Sequence, residues 1–393
     1  MLSKNREEKT IDLCRKLIMA KSYSGQEKEA AEVLKTFFSE NQFDEILTDS
    51  YGNIIGKIKG NRPGPKLLFD GHIDTVEVPD SSKWTHNPFG AEIIDGKIYG
   101  RGASDMKGAD SAMANAAVQF AIDNKKDFAG ELYIAGVVHE ECFEGVAARK
   151  ISESIKPDYV IIGEASNLDL KIGQRGRGEI KIETFGVPAH SANPEKGINA
   201  VYAMCKVIEK LQAILIPHDD FLGDGILELT DIKSSPYPGA SVVPDYCVAT
   251  YDRRLLVGET KESVLKPIQE SLMELMKSDK RIKAKVSFST GKERCYTGTE
   301  IHGERFFPGW AYNQNDEYIH KILKSLNEDG FSPKVTKYNF CTNGSHYAGE
   351  AHIKTIGLGP STESLAHTID EYIEIEQLLK ATECYMSIMK ALL

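Results

Sequence analysis

Apolar and polar positions alternate along this chain in two different styles. At the start, Ile11, Cys14, Leu17 and Ile18 recur at helical spacing and predict an amphipathic helix. Ser24-Gly25-Gln26-Glu27 then reads as a capping box that opens a second helix running through Phe38. The runs at 53–58, 66–69 and 97–99 predict strands, and the Ala-rich stretch 106–122 predicts a helix. Two nearly continuous apolar runs, 132–138 and 159–162, have the length and composition of parallel strands buried on both faces. Near Gly178 the style changes. Positions 179–184 alternate, as a half-buried antiparallel strand would, and they predict an outer sheet edge able to pair with a second chain. A helix at about 197–215, strands near 225–230 and 246–255, a helix over 261–277 and a strand over 284–289 complete a βαββαβ order. The first style returns at about residue 295. The pattern therefore predicts one domain inserted into another: 1–177 and 295–393 form an α/β domain with a mixed, mostly parallel sheet, and 178–294 form the insert.

Bulk properties narrow the setting. The chain has 393 residues, 41% hydrophobic and 27% charged, enough for a large core without disulfide staples. Its net charge of −10 includes no offsetting basic stripe, which argues against a nucleic-acid partner. The seven cysteines are odd in number, scattered, and form no C-x-x-C, a usage that fits a reducing compartment. The N-terminal MLSKNREEKTIDL lacks an apolar signal core, and no apolar run approaches the ~20 residues that span a bilayer. A cytoplasmic protein without a membrane partner is expected.

The candidate chemistry lies where the apolar strands end. Strand 66–69 runs into Asp70-Gly71-His72-Ile73-Asp74, strand 132–138 into His139-Glu140-Glu141, and strand 159–162 into Gly163-Glu164. In open α/β sheets ligands bind beyond the carboxyl ends of the strands. One carboxylate after a strand is most simply a helix cap; three such ends together point to metal ligation. His72 and Asp74 share a face in extended chain, so the Asp74 carboxylate can orient the His72 ring. Arg101-Gly102-Ala103-Ser104-Asp105-Met106-Lys107-Gly108 is a glycine-punctuated loop able to present Asp105, either as a ligand or merely as a helix cap. Late in the chain His367 comes after the loop 357–360.

These motifs, GHIDTV, YGRGASDMKG, the paired glutamates of EECFEG, and GEAS, resemble the dizinc amidohydrolases and peptidases: acetylornithine deacetylase, succinyl-diaminopimelate desuccinylase, aminoacylase and carboxypeptidase G. The overall form is also similar to a bacterial branch of selenium-metabolism hydrolases. The resemblance spans nearly the whole chain and implies a metal-dependent hydrolase cleaving an amide bond of a small N-acyl amino acid or dipeptide. It implies two divalent ions, expected as zinc, with cobalt or manganese as alternatives. His72 and Glu164 would hold one ion and Glu141 and His367 the other, with Asp105 between them, its peptide to Met106 cis. Glu140 would be the general base toward a metal-activated water. The insert would act as a lid and build a homodimer, in which His190 stabilises the oxyanion across the subunit boundary. Arg254, through its bidentate fork, and Asn343 would contact substrate. His139 departs from the aspartate many relatives carry there, Ser241 from an asparagine, and 341–346 from a Gly/Thr/Asp-rich form. The competing expectation is a non-catalytic metal- or ligand-binding relative that keeps the fold.

Overall fold

The computed structural model describes residues 2–393. The described residues form two compact units: those up to 174, 292–302 and 311–393 make the first, and residues 175–291 with 303–310 the second.

The first unit is built on a nine-stranded mixed sheet, seven strands of which lie in the order Glu45–Thr48, Ile54–Lys59, Ala129–Val137, Arg62–His72, Tyr159–Ile162, Lys354–Gly357 and Leu170–Gln174. Its centre is parallel: Arg62–His72 runs beside Ala129–Val137 on one side and Tyr159–Ile162 on the other, in the same direction as both. Leu67, Leu68, Phe69, Leu132, Ile134, Val160 and Ile161 are buried along these strands, as continuous apolar runs require. Because the three strands are neighbours and co-directional, their carboxyl ends fall on one side. The Ala-rich helix Gly108–Asp123 packs against Lys4–Met19 and Ile375–Leu392 and is buried almost all round, which small side chains permit. It begins two residues later than the apolar pattern predicts, because Asp105 and Met106 are not helical. The fold is thus the expected α/β one with a mixed sheet.

The predicted capping box does not form. The helix starts at Lys28, and no side chain caps it; the Ser24 hydroxyl instead donates to Asp74, and Glu27 accepts the His139 N–H. The physical reason is competition: two buried loops 50 and 112 residues away offer those side chains stronger partners than the helix end does.

The second unit carries the order strand Gly176–Phe185, helix Ala200–Leu211, strands Ile226–Ser235 and Tyr246–Leu255, helix Lys261–Ser278, strand Lys283–Phe288. Its core holds Ile180, Ile182, Met204, Val207, Ala249, Tyr251, Ile268 and Phe288. The expectation that 179–184 forms an outer edge is overturned. Strand Gly176–Phe185 is central, paired with Tyr246–Leu255 on one side and Lys283–Phe288 on the other. Alternation reports that one face is buried; it does not report whether the backbone edges are paired. The largely exposed strand Ile226–Ser235 stands at the end of the sheet instead.

Candidate metal centre

His72 closes its strand, Glu140 and Glu141 lie just past the neighbouring strand, and Glu164 lies just past the third, so a single sheet edge delivers four candidate ligands. Gly71 is required here: a Cβ on it would lie 2.1 Å from Asp110 Oδ1. Asp105 comes from the loop before the buried helix. Gly102 turns that loop at φ +86°, a conformation glycine adopts freely, and the Asp105–Met106 peptide is cis. Glu371 holds the turn from the far end of the chain: its Oε1 accepts the Ser104 and Asp105 N–H groups at 2.8 and 3.0 Å, and its Oε2 pairs with buried Arg101.

The side chains converge on Asp105. Its Oδ1 lies 2.9 Å from His72 Nε2, and its Oδ2 lies 3.1 Å from His367 Nε2. His72 Nε2 is also 3.4 Å from Glu164 Oε1, and His367 Nε2 is 3.0 Å from Glu141 Oε2. Glu140 joins them, since ligand atoms of His72, Glu140 and Glu164 lie within 4.8 Å of one another, as do those of His72, Asp105 and Glu141. Glu140 Oε1 is buried and has no hydrogen-bond partner among the described residues. Burial raises Glu140 well above the usual carboxylate range, pushes Glu141 up to about 7 with help from the Asp105 charge, and raises Glu164 in the same way. Hydrogen bonds to Asp105 and Glu141 raise His367 to about 10. Burial works against charge on His72, but the nearby carboxylates of Asp105, Asp74 and Glu164 outweigh it and hold the ring well above its ordinary value. So many acidic groups in one dry place stay charged together only with compensating positive charge. The donor set of imidazole nitrogens and carboxylate oxygens fits divalent ions such as zinc.

A second layer positions these groups. The expected Asp74–His72 contact is made differently: His72 Nδ1 donates to the Asp74 carbonyl oxygen at 2.9 Å, while the nearest carboxylate oxygen is 3.6 Å away. The Asp74 carboxylate turns instead to the Glu140 and Glu141 N–H groups, at 3.0 and 3.2 Å. Asn343 is buried, and its amide is committed at both ends: it donates to Asp70 and accepts from the Gly145 N–H. The expected substrate contact of Asn343 is thus offered from a side chain already anchored between Asp70 and Gly145. Two other expected residues lie in the second unit. His190 is exposed, and Arg254 pairs with Asp252 at 2.8 Å. Glu371 was missed by motif reading; the only signal was an acidic residue four positions after His367.

A buried sheet edge that gathers two imidazoles, a shared aspartate and a carboxylate with a free oxygen is built to carry out hydrolysis with metal ions. The class defined by fold and site is that of metal-dependent hydrolases. The pattern of peptidase family M20/M25/M40 matches residues 68–391, and the chain belongs to that family. It is 32% identical to the YgeY protein of Escherichia coli (strain K12), across 95% of this chain and 92% of that one. It is 27% identical to succinyl-diaminopimelate desuccinylase 2 of Ruegeria sp. (strain TM1040), across 97% and 94%. The crystal structure of the YxeP protein of Bacillus subtilis, described as a dinuclear metal-binding peptidase of family M20, matches with a TM-score of 0.73 at 15% identity, covering 98% of both chains. The protein is accordingly a hydrolase acting on carbon–nitrogen bonds.

Proposed function

We propose that this hydrolase is a dinuclear N-acyl amino acid deacylase or dipeptidase. His72, Asp105 and Glu164 would hold one ion, and Glu141, Asp105 and His367 the other, with zinc the favoured metal and cobalt or manganese the alternatives. The division of the Asp105 carboxylate between two imidazoles carries this reading, because one carboxylate facing two histidines through separate oxygens is what a bridging ligand requires. When bound, the ions supply Lewis acidity, acidifying water and polarising a carbonyl. Glu140, with its free oxygen, takes the proton of the attacking water and passes it to the leaving amine. This unpartnered base also favours an enzyme over a non-catalytic relative, since binding alone needs none.

His190 is assigned to the oxyanion. The Ala192 N–H donates to its Nδ1 at 3.0 Å, which leaves Nε2 protonated and free to donate. In this reading a homodimer forms through the second unit, and Arg254 meets a substrate carboxylate. Seven free thiols fit a cytoplasmic enzyme. No helix among the described residues is long and apolar enough to cross a membrane. The test is to strip metal with a chelator, reload with zinc, cobalt or manganese, count bound ions by mass spectrometry, and assay a panel of N-acyl amino acids and dipeptides. Two ions per chain with turnover of a panel member is expected; fewer ions, or no turnover at full loading, overturns the reading.

A further inference from the structure

Between the first two helices, the chain passes directly behind the candidate base. It is laced to the loop after His72: the Thr75 N–H donates to the Ser22 carbonyl at 2.9 Å, and the Ser22 hydroxyl donates to the Ile73 carbonyl at 2.6 Å. Two residues on, the Ser24 hydroxyl donates to Asp74 Oδ2 at 2.7 Å. Glu27, fully buried, gives one oxygen to the N–H groups of Gly25 and His139, at 2.8 and 3.2 Å.

Three consecutive backbone N–H groups therefore end on two buried carboxylates. His139 donates to Glu27, Glu140 to Asp74 Oδ1, and Glu141 to Asp74 Oδ2. His139 sits at φ +55°, in the left-handed region that side-chain-bearing residues seldom occupy and that needs surrounding structure to hold it. A helix cap does not explain the burial of Glu27, because its side chain makes no bond to the helix it precedes. Burying a carboxylate is costly unless its bonds are used.

We infer that Ser24 and Glu27 are positioning residues for hydrolysis, suspending the His139–Glu141 backbone, directly and through Asp74, so that the Glu140 carboxylate is aimed. The inference rests on the assignment of Glu140 as base. Releasing the backbone at His139 rotates the Cα from which Glu140 projects, and a displacement of about 1 Å can cost a reaction about 10²-fold.

The test uses the full chain, chelator-treated and zinc-loaded, as Ser24→Ala, Glu27→Ala and Glu27→Gln. Residue-resolved amide hydrogen exchange is read alongside kinetics on whichever N-acyl amino acid or dipeptide the wild type turns over. Both alanine variants are expected to speed exchange at the 139–141 amides about tenfold or more, leaving 129–137 and 28–40 protected. Their kcat should fall about 10- to 100-fold, with KM within about twofold and zinc content unchanged. Glu27→Gln retains an accepting oxygen and should keep both protection and kcat near wild type. Unchanged exchange at 139–141, faster exchange everywhere, or a Glu27→Gln variant as impaired as Glu27→Ala would each overturn the inference. If the wild type cleaves no member of the panel, the proposed function fails on its own, and the exchange pattern still decides whether these residues hold the backbone.

Discussion

Asp74 holds Glu140 by the backbone and leaves its side chain free: Asp74 Oδ1 accepts the Glu140 N–H at 3.0 Å, while Glu140 Oε1 has no partner among the described residues. The Asp74 carboxylate is used for position, and in the proposed mechanism the Glu140 carboxylate is kept for chemistry. Replacing Glu140 with alanine should therefore leave metal content at the wild-type level and lower kcat by at least ~10²–10⁴-fold, the usual scale of general acid–base catalysis. Metal analysis and steady-state kinetics on one preparation check this. An unimpaired rate removes Glu140 from the mechanism.

Glu371 supports the turn that presents Asp105, the proposed bridging ligand. Glu371→Ala would strip acceptors from the Ser104 and Asp105 N–H groups and leave Arg101 buried without its anion. Breaking a buried pair from one side typically costs about 3–5 kcal/mol. Loss of such support behind a ligand typically weakens metal binding about 10–100-fold. Glu371→Gln keeps an accepting oxygen and should be milder on both counts. Denaturation curves and competition with a calibrated chelator measure the two effects, and wild-type metal affinity in Glu371→Ala would rule out the supporting role.

Stability of the metal-free protein should fall as pH rises. Burial lifts Glu27 to about 8, with Asp74 adding to it, and burial lifts Glu371 to about 7. A carboxyl raised in the folded state contributes stability that is fully present below its ordinary value of 4.5 and is lost as pH climbs through the folded value. His367, raised to about 10 by Asp105 and Glu141, contributes below its ordinary 6.5 and loses that contribution as pH passes 10. Its half-exposed ring makes its share the smaller one. All three act in the same direction, so melting temperature in chelator should decline between about pH 5 and pH 8; above that, buried Lys107, lowered to about 8, acts in the opposite sense. Added zinc should flatten the upper part of that slope, because metal takes over the imidazole and carboxylates. A melting temperature in chelator that stays level or rises with pH over that range contradicts this.

The assignment of His190 to a neighbouring subunit predicts complementation. Glu140→Ala and His190→Ala should each be inactive alone. Mixed under subunit exchange, they should regain activity, because a heterodimer contains one site built entirely from intact residues. Exchange is verified independently by mass-tagged subunits. Absence of recovery once exchange is proven would confine His190 to its own chain or exclude it from the reaction.

Features that depend on near neighbours could be read from the chain alone. Continuous apolar runs marked the buried parallel strands at 132–138 and 159–162. Glu140, Glu141 and Glu164, the residues just past those runs, stand at the candidate centre because a strand fixes where its own carboxyl end lies. The turn at Asp105 was legible because Gly102 and Gly108 flank it, and glycine adopts the backbone conformations that a tight turn needs. Tertiary structure decided which partner each polar group took. Ser24 and Glu27 have the spacing of a helix cap, yet they bond to Asp74 and His139; Glu371 reaches Arg101 and Asp105 across some two-thirds of the chain. Strand Gly176–Phe185 alternates as an edge strand would, yet it lies between two partners. Periodicity records which face of an element is buried. Hydrogen-bond partners are chosen by which groups the folded chain brings within 3 Å of one another in the absence of water, and that choice exists only once the distant segments have met.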